Sequence, residues 1–166
     1  MIKSASGWYS KKLKIAITDD VRHPMPPQYL KQRLTEQQPK VKLNIMPKVF
    51  KVNGSISVHC ESKLVVGKQS LVSLSLTKDK HAFATLNMFG QRSFDRTQGV
   101  RNITWLQSST QPPIVHVKIG NATRLTSGMY RCELTYRNTT SGLSFNSYSN
   151  YMVLRNTGTS GIDIKI

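Results

Sequence analysis

From Val41 onward the chain alternates apolar and polar side chains with a period of two, the mark of strands that bury one face. Val41, Leu43 and Ile45 alternate with Lys42 and Asn44, and Ile56, Val58 and Cys60 with Ser57, His59 and Glu61. The pattern returns at Val72, Leu74 and Leu76, at Ala82, Ala84, Leu86 and Met88, and at Val115, Val117 and Ile119. Tyr130, Cys132, Leu134 and Tyr136 form another set, and a final run spans Tyr148 to Leu154. No segment sustains a helical period. Turn-rich stretches separate the runs: Val52-Asn53-Gly54, Gly67-Lys68, Thr77-Lys78-Asp79-Lys80, Gly120-Asn121 and Asn138-Thr139-Thr140-Ser141-Gly142. Seven or more short strands so spaced predict an all-β antiparallel sandwich or barrel over residues 41–155. A parallel sheet would need crossover helices that the pattern lacks.

Residues 1–40 differ in texture. They hold eight basic and three acidic residues, and their apolar residues fall in small clusters split by His23-Pro24-Met25-Pro26-Pro27. The expectation is a poorly ordered basic leader in which Leu13, Ile15 and Ile17 could form one edge strand. A polar tail, residues 156–166, follows the sandwich. The longest apolar stretch is only a few residues, so no membrane-spanning helix or anchor is expected within this sequence.

Both cysteines fall on the inward parity of their strands, 72 positions apart. They can meet across a sandwich, or stand as two buried thiols in a reducing compartment.

The segment Leu125-Thr126-Ser127-Gly128-Met129-Tyr130-Arg131-Cys132 resembles the F-strand signature of the immunoglobulin superfamily. The resemblance covers about 115 residues. It implies an immunoglobulin-like sandwich of variable or intermediate type, a Cys60–Cys132 bridge, and a tyrosine corner at Tyr130. Three departures accompany it. Thr126 stands where the family usually has Asp, so the ion pair of that Asp with an Arg near strand D is absent or replaced. The strand-C tryptophan is missing, with Leu74 or Leu76 expected in its space. Trp105 comes too late for that role and is expected near strand D, at the core edge or as a ligand anchor. A narrower resemblance, carried by residues 71–77, 82–90, Trp105 and 128–133, is to the immunoglobulin domains of molluscan fibrinogen-related lectins and similar invertebrate surface proteins. It implies a role in innate immune recognition.

Composition adds compartment and charge. Asn53, Asn102, Asn121 and Asn138 each begin an N-glycosylation sequon, at or beside predicted connections. With the cysteine pair they point to an extracellular product, secreted or part of a surface ectodomain. The opening residues lack the apolar stretch of a signal peptide, so the expectation is a fragment or a start placed downstream of the true leader. The whole chain carries 24 Lys and Arg against 8 Asp and Glu, a net charge of +16.

That charge favours anionic partners, and for an extracellular domain an anionic, heparan-like polysaccharide, an acidic cell-surface protein or anionic lipid headgroups rather than specific nucleic acid. Catalysis finds no support. His23, His59, His81 and His116 are scattered, His59 and His116 being expected as solvated outward residues, and no metal-ligand spacing, nucleophile elbow or phosphate-binding loop is present. No cofactor or metal is expected.

Two function classes follow. One is a non-catalytic adhesion or recognition module that binds a protein or glycan at the cell surface through loops 62–70 and 137–146, with Ser70, Arg137, Asn138, Phe145 and Tyr148 as contacts. The other is a polyanion binder contacting its ligand through Lys11, Lys12, Lys14, Lys31 and Arg33. Homophilic pairing through an outer sheet face, using Phe83 or Phe89, is a third possibility.

Overall fold

The computed structural model describes residues 36–157. In chain order the strands are β1 (Val41–Met46), β2 (Val49–Phe50), β3 (Ile56–Ser62), β4 (Gln69–Lys78), β5 (His81–Asn87), β6 (Arg92–Phe94), β7 (Asn102–Thr110), β8 (Pro113–Gly120), β9 (Gly128–Asn138), β10 (Ser144–Tyr148) and β11 (Met152–Asn156). One sheet is ordered β1-β3-β8-β7. The other is ordered β2-β11-β9-β4-β5-β6, with β10 also paired to β9. All pairings are antiparallel except β11 with β2. This is the strand order of an immunoglobulin-like sandwich, with the larger sheet extended from β4 into β5 and β6. The predicted all-β sandwich is what the chain forms.

The period-two faces meet in one core. Ile56, Val58 and Cys60 of β3 and Val115, Val117 and Ile119 of β8 face Leu74 and Leu76 of β4 and Tyr130, Cys132 and Leu134 of β9, all essentially without solvent exposure. Cys60 and Cys132 are joined across the sheets with Cα atoms 6.3 Å apart. Leu74 and Leu76 lie opposite Leu134 and Cys132 in the β4–β9 register, so leucines occupy the space left by the missing tryptophan.

Register shifts fall between His116 and Val117 of β8 against β7 and between Thr135 and Tyr136 of β9 against β4, and two further irregularities change which residues point inward or where a strand ends. Between Leu76 and Thr77 the β4–β5 register shifts, pairing Leu76 with Ala84 and Thr77 with Ala82. Phe83 is the extra residue of this bulge and turns inward, where its ring meets Tyr130 edge to face at 5.8 Å. The expectation that Ala82 points inward is thereby corrected, and Phe83 is no candidate for an outer contact; Phe89 is 79% exposed. The run from Tyr148 to Leu154 is likewise not one strand. Ser149 breaks it by donating its N–H to the Cys132 carbonyl and accepting the Cys132 N–H on its Oγ, so β10 and β11 pair with successive halves of β9.

Ahead of β1, the Pro39 carbonyl accepts a hydrogen bond from Ser147 and the Lys40 carbonyl accepts one from Ser62. At the other end, Asn156 closes β11 as a buried residue opposite Phe50. The expected edge strand at Leu13, Ile15 and Ile17, and the basic residues Lys11, Lys12, Lys14, Lys31 and Arg33, lie outside the described residues.

Replacing both bridging cysteines, as Cys60→Ala with Cys132→Ala, removes a cross-link closing a 72-residue loop. Chain entropy puts the loss at roughly 4 kcal/mol. A denaturant titration of the double variant should show its midpoint moved down accordingly, and a midpoint equal to the wild type would show that the bridge contributes nothing to stability.

Candidate functional site

The tyrosine corner organises the turn into β9. A 3-10 turn, Arg124–Thr126, is capped by Thr123, whose side chain accepts the Leu125 N–H. Tyr130 Oη donates to the Thr126 carbonyl at 2.6 Å. Burial, and then the Asp79 charge, push the phenol far above its ordinary pKa, so it stays a donor. Thr126 is fully buried and makes neutral hydrogen bonds at the position where the resembled signature carries an ion-paired Asp: its Oγ1 donates to the Gly99 carbonyl at 2.6 Å and accepts the Thr123 N–H at 2.9 Å. Gly99, at φ 81°, packs so closely that a Cβ there would lie 2.0 Å from the Leu125 carbonyl oxygen.

Asp79 and Lys80, both at positive φ, form the two-residue turn between β4 and β5. The Asp79 carboxylate accepts the Met129 N–H at 3.0 Å and faces the buried Lys78 ammonium at 2.9 Å. The Met129 N–H first, and Lys78 second, hold this carboxyl below its ordinary pKa.

With the sheets so fixed, four connections converge at one end of the sandwich on a cleft of about 740 Å³. Lys63, Leu64, Val66 and Gly67 line it from the β3–β4 connection, Met88 and Phe89 from β5–β6, Thr110 to Pro113 from β7–β8, and Thr139 from β9–β10. Local hydrogen bonds set these loops. Gln69 accepts the Val65 N–H through Oε1, Thr139 donates to the Lys68 and Gly67 carbonyls, and Asn87 Oδ1 accepts the Phe89 and Gln91 N–H groups. Val66 and Phe89 stand 78% and 79% exposed on this fixed backbone.

The expected contact residues divide. Ser70 lines the cleft, and Arg137 lies opposite it in the β4–β9 register. Asn138 ends β9 next to Thr139, its Oδ1 accepting the Thr140 and Ser141 N–H groups. Phe145 instead stacks on Tyr136 at 5.7 Å and packs against the core. Tyr148 lies on the outer face of the larger sheet, where the Arg131 guanidinium sits 4.3 Å from its ring and 4.4 Å from that of Tyr151. The connections are also shorter than expected, 63–68 and 139–143. Phe89 was expected only on an outer sheet face, and Met88 and the Pro112-Pro113 corner drew no expectation as contacts, because nothing local to them signals which distant loops they will meet.

Trp105 lies on β7, partly buried against the core beneath Arg92, whose guanidinium is 5.4 Å from the ring. It is a core-edge residue. His59 and His116 are not separate solvated histidines: they face each other in the β3–β8 register, half-buried, with ring centroids 4.9 Å apart. His116 Nε2 is 2.7 Å from Ser57 Oγ.

Against solved structures the chain superposes on murine CRIg with a TM-score of 0.54 at 14% sequence identity, over 72% of this chain and 98% of that one. The fold is immunoglobulin-like. No protein-family model and no curated protein matches the chain. Among the described residues of this immunoglobulin-like domain, no group of three or more His, Cys, Asp or Glu side chains is placed to hold a metal ion, and no helix is long and apolar enough to cross a membrane.

Desolvation, and then the neighbouring His59, lower the His116 pKa from 6.5. The unfolded chain therefore binds this proton more readily than the folded domain, and stability falls as pH drops below about 6.5. Thermal melts from pH 7.5 to 5 should show that decline, and His116→Gln should flatten it; an unchanged slope in the variant would assign the decline to other groups.

Proposed function

We propose that this domain is a non-catalytic extracellular recognition module whose loop-end cleft binds a protein ligand. The observation that carries the proposal is the pair Val66 and Phe89, large apolar side chains held in solvent beside a cleft whose backbone is already ordered. Apolar groups displayed on a fixed frame lose little entropy on binding and gain from being covered. Exposed anchors of this kind, centred in a pocketed surface, supply most of the affinity in protein interfaces. Extracellular placement draws on the inter-sheet disulfide and the four sequons. Ser70 and Arg137 supply polar contacts at the rim, while Phe145 packs against the core and Tyr148 lies on the outer face of the larger sheet.

The test uses the refolded domain against an array of purified cell-surface ectodomains. Phe89→Asp and Val66→Asp should each weaken any saturable interaction at least tenfold, with thermal unfolding unchanged. Binding that survives both substitutions would move the ligand site away from this cleft.

A second reading, contact with an anionic polysaccharide, has its own observation. Lys40, Lys42 and Lys63 surround a shallow cleft of about 330 Å³ beside Ser62 and Glu61. Three ammonium groups around one carboxylate leave an excess of donors for sulfate oxygens. Retention on immobilised heparin should fall linearly with the logarithm of salt concentration, and Lys42→Gln with Lys63→Gln should reduce the slope by about one to two. If replacing Lys11, Lys12, Lys14, Lys31 and Arg33 by Gln abolishes retention while the cleft variant keeps it, the leader is the contact instead.

A further inference from the structure

Three of the four sequons are distant in sequence yet adjacent in the fold. Asn53, Asn102 and Asn121 all line one groove, together with Val52, Arg101 and Leu125. Asn102 is the register partner of Gly120, the residue before Asn121. The Asn53 N–H donates to the carbonyl of Ala122, the residue after Asn121. All three asparagines are exposed. This groove is formed by the β2–β3 connection, the start of β7 and the segment after β8, at the end of the sandwich away from the recognition cleft.

Backbone conformation explains part of this. Asn53 and Asn121 have φ of 72° and 49°, a region that asparagine tolerates better than most residues. It explains neither Asn102, which lies in β7, nor the exposed Thr104 that completes its sequon. The groove also exposes two large apolar side chains, Val52 and Leu125, at 46% and 53%. Gly120 leaves the ground beside Asn102 open, since a Cβ there would meet nothing closer than 3.9 Å.

We infer that Asn53, Asn102 and Asn121 carry N-linked glycans that converge on this groove and cover Val52 and Leu125, whereas Asn138, half-buried beside the cleft with its Oδ1 accepting the Thr140 and Ser141 N–H groups, stays unmodified and leaves that end the accessible pole. In each modification the side-chain amide nitrogen forms a bond to the anomeric carbon of an oligosaccharide. The bond from that carbon to the pyrophosphate of a lipid-linked donor breaks, the lipid pyrophosphate leaves, and the amide gives up one proton. Arg101 and Arg124, both exposed at the groove, offer donors to sugar hydroxyl and acetamido oxygens. This inference rests on the extracellular reading and adds to it a polarity.

The chain is expressed behind a secretory signal in a eukaryotic host, and the secreted material is deglycosylated enzymatically in heavy-oxygen water, which labels each formerly occupied asparagine as Asp. Peptide masses should show the label at Asn53, Asn102 and Asn121 and none at Asn138, where label would overturn the polarity. Unglycosylated refolded protein of the same sequence should self-associate at concentrations where the secreted form scatters light as a monomer, and Val52→Ser with Leu125→Ser should return it to monomer. Label at fewer than two of the three positions overturns the inference, as does an unglycosylated protein that stays monomeric at every concentration at which the secreted form does. The array experiment on the refolded domain needs no sugar. Loss of the groove inference with Phe89-dependent binding intact would leave the recognition reading standing, and the reverse outcome would remove that reading alone.

Discussion

The link between the two sheets at Cys60 and Cys132 is the constraint on which the remaining geometry depends. Each sulfur sits at the centre of a strand that is paired on both sides, β3 by β1 and β8, β9 by β4 and the two segments β10 and β11. Cys132 is held a second time, through both hydrogen bonds of its backbone to Ser149. A shift of either central strand would therefore disturb a covalent bond and its ladder together. Because β3, β4, β8 and β9 all feed loops into the cleft, fixing their relative height fixes the cleft.

Next to this link, the corner before β9 solves an electrostatic problem with neutral groups. A buried ion pair must recover a large desolvation cost through good geometry. Thr126 avoids that cost, since one hydroxyl can both donate to Gly99 and accept from Thr123. The arrangement demands Gly99, where backbone contact leaves no room for a side chain. The one charged anchor in the region is Asp79, and it remains exposed while its partner Lys78 is buried. Gly128 keeps this contact possible, for a Cβ at that residue would lie 2.8 Å from the Asp79 carboxylate.

Features set by local periodicity were legible in the sequence, and those set by register between distant segments were not. The strands of the core, the inward parity of both cysteines and the role of Tyr130 follow from spacing and from one family signature. Phe83 defeats parity because a bulge adds a residue that no local signal marks. Ser149 reads as an ordinary polar position in an alternating run, and only the facing Cys132 backbone reveals why the strand breaks there. Tyr148, at the start of the last run, was expected among the loop-end contacts, although its partner is Arg131 on the neighbouring strand. The cleft assembles from four connections, so Phe89 gains its meaning only when the β5–β6 turn is brought beside Val66 and Pro112.

On the recognition reading, charge bears on which partners the cleft would take. The described residues carry sixteen Lys and Arg against five Asp and Glu, so two copies meeting through their apolar loop ends would bring two strongly positive bodies together. That repulsion is screened over about 8 Å at physiological salt, so it is felt most where charged surfaces come close, as they would between two loop ends. Burying Val66 and Phe89 against a second copy must overcome it, whereas an acidic partner gains from the same field before contact is made. On the proposed reading the apolar anchors and the basic surround would act in sequence, the field raising the encounter rate with an acidic protein surface and the anchors slowing release.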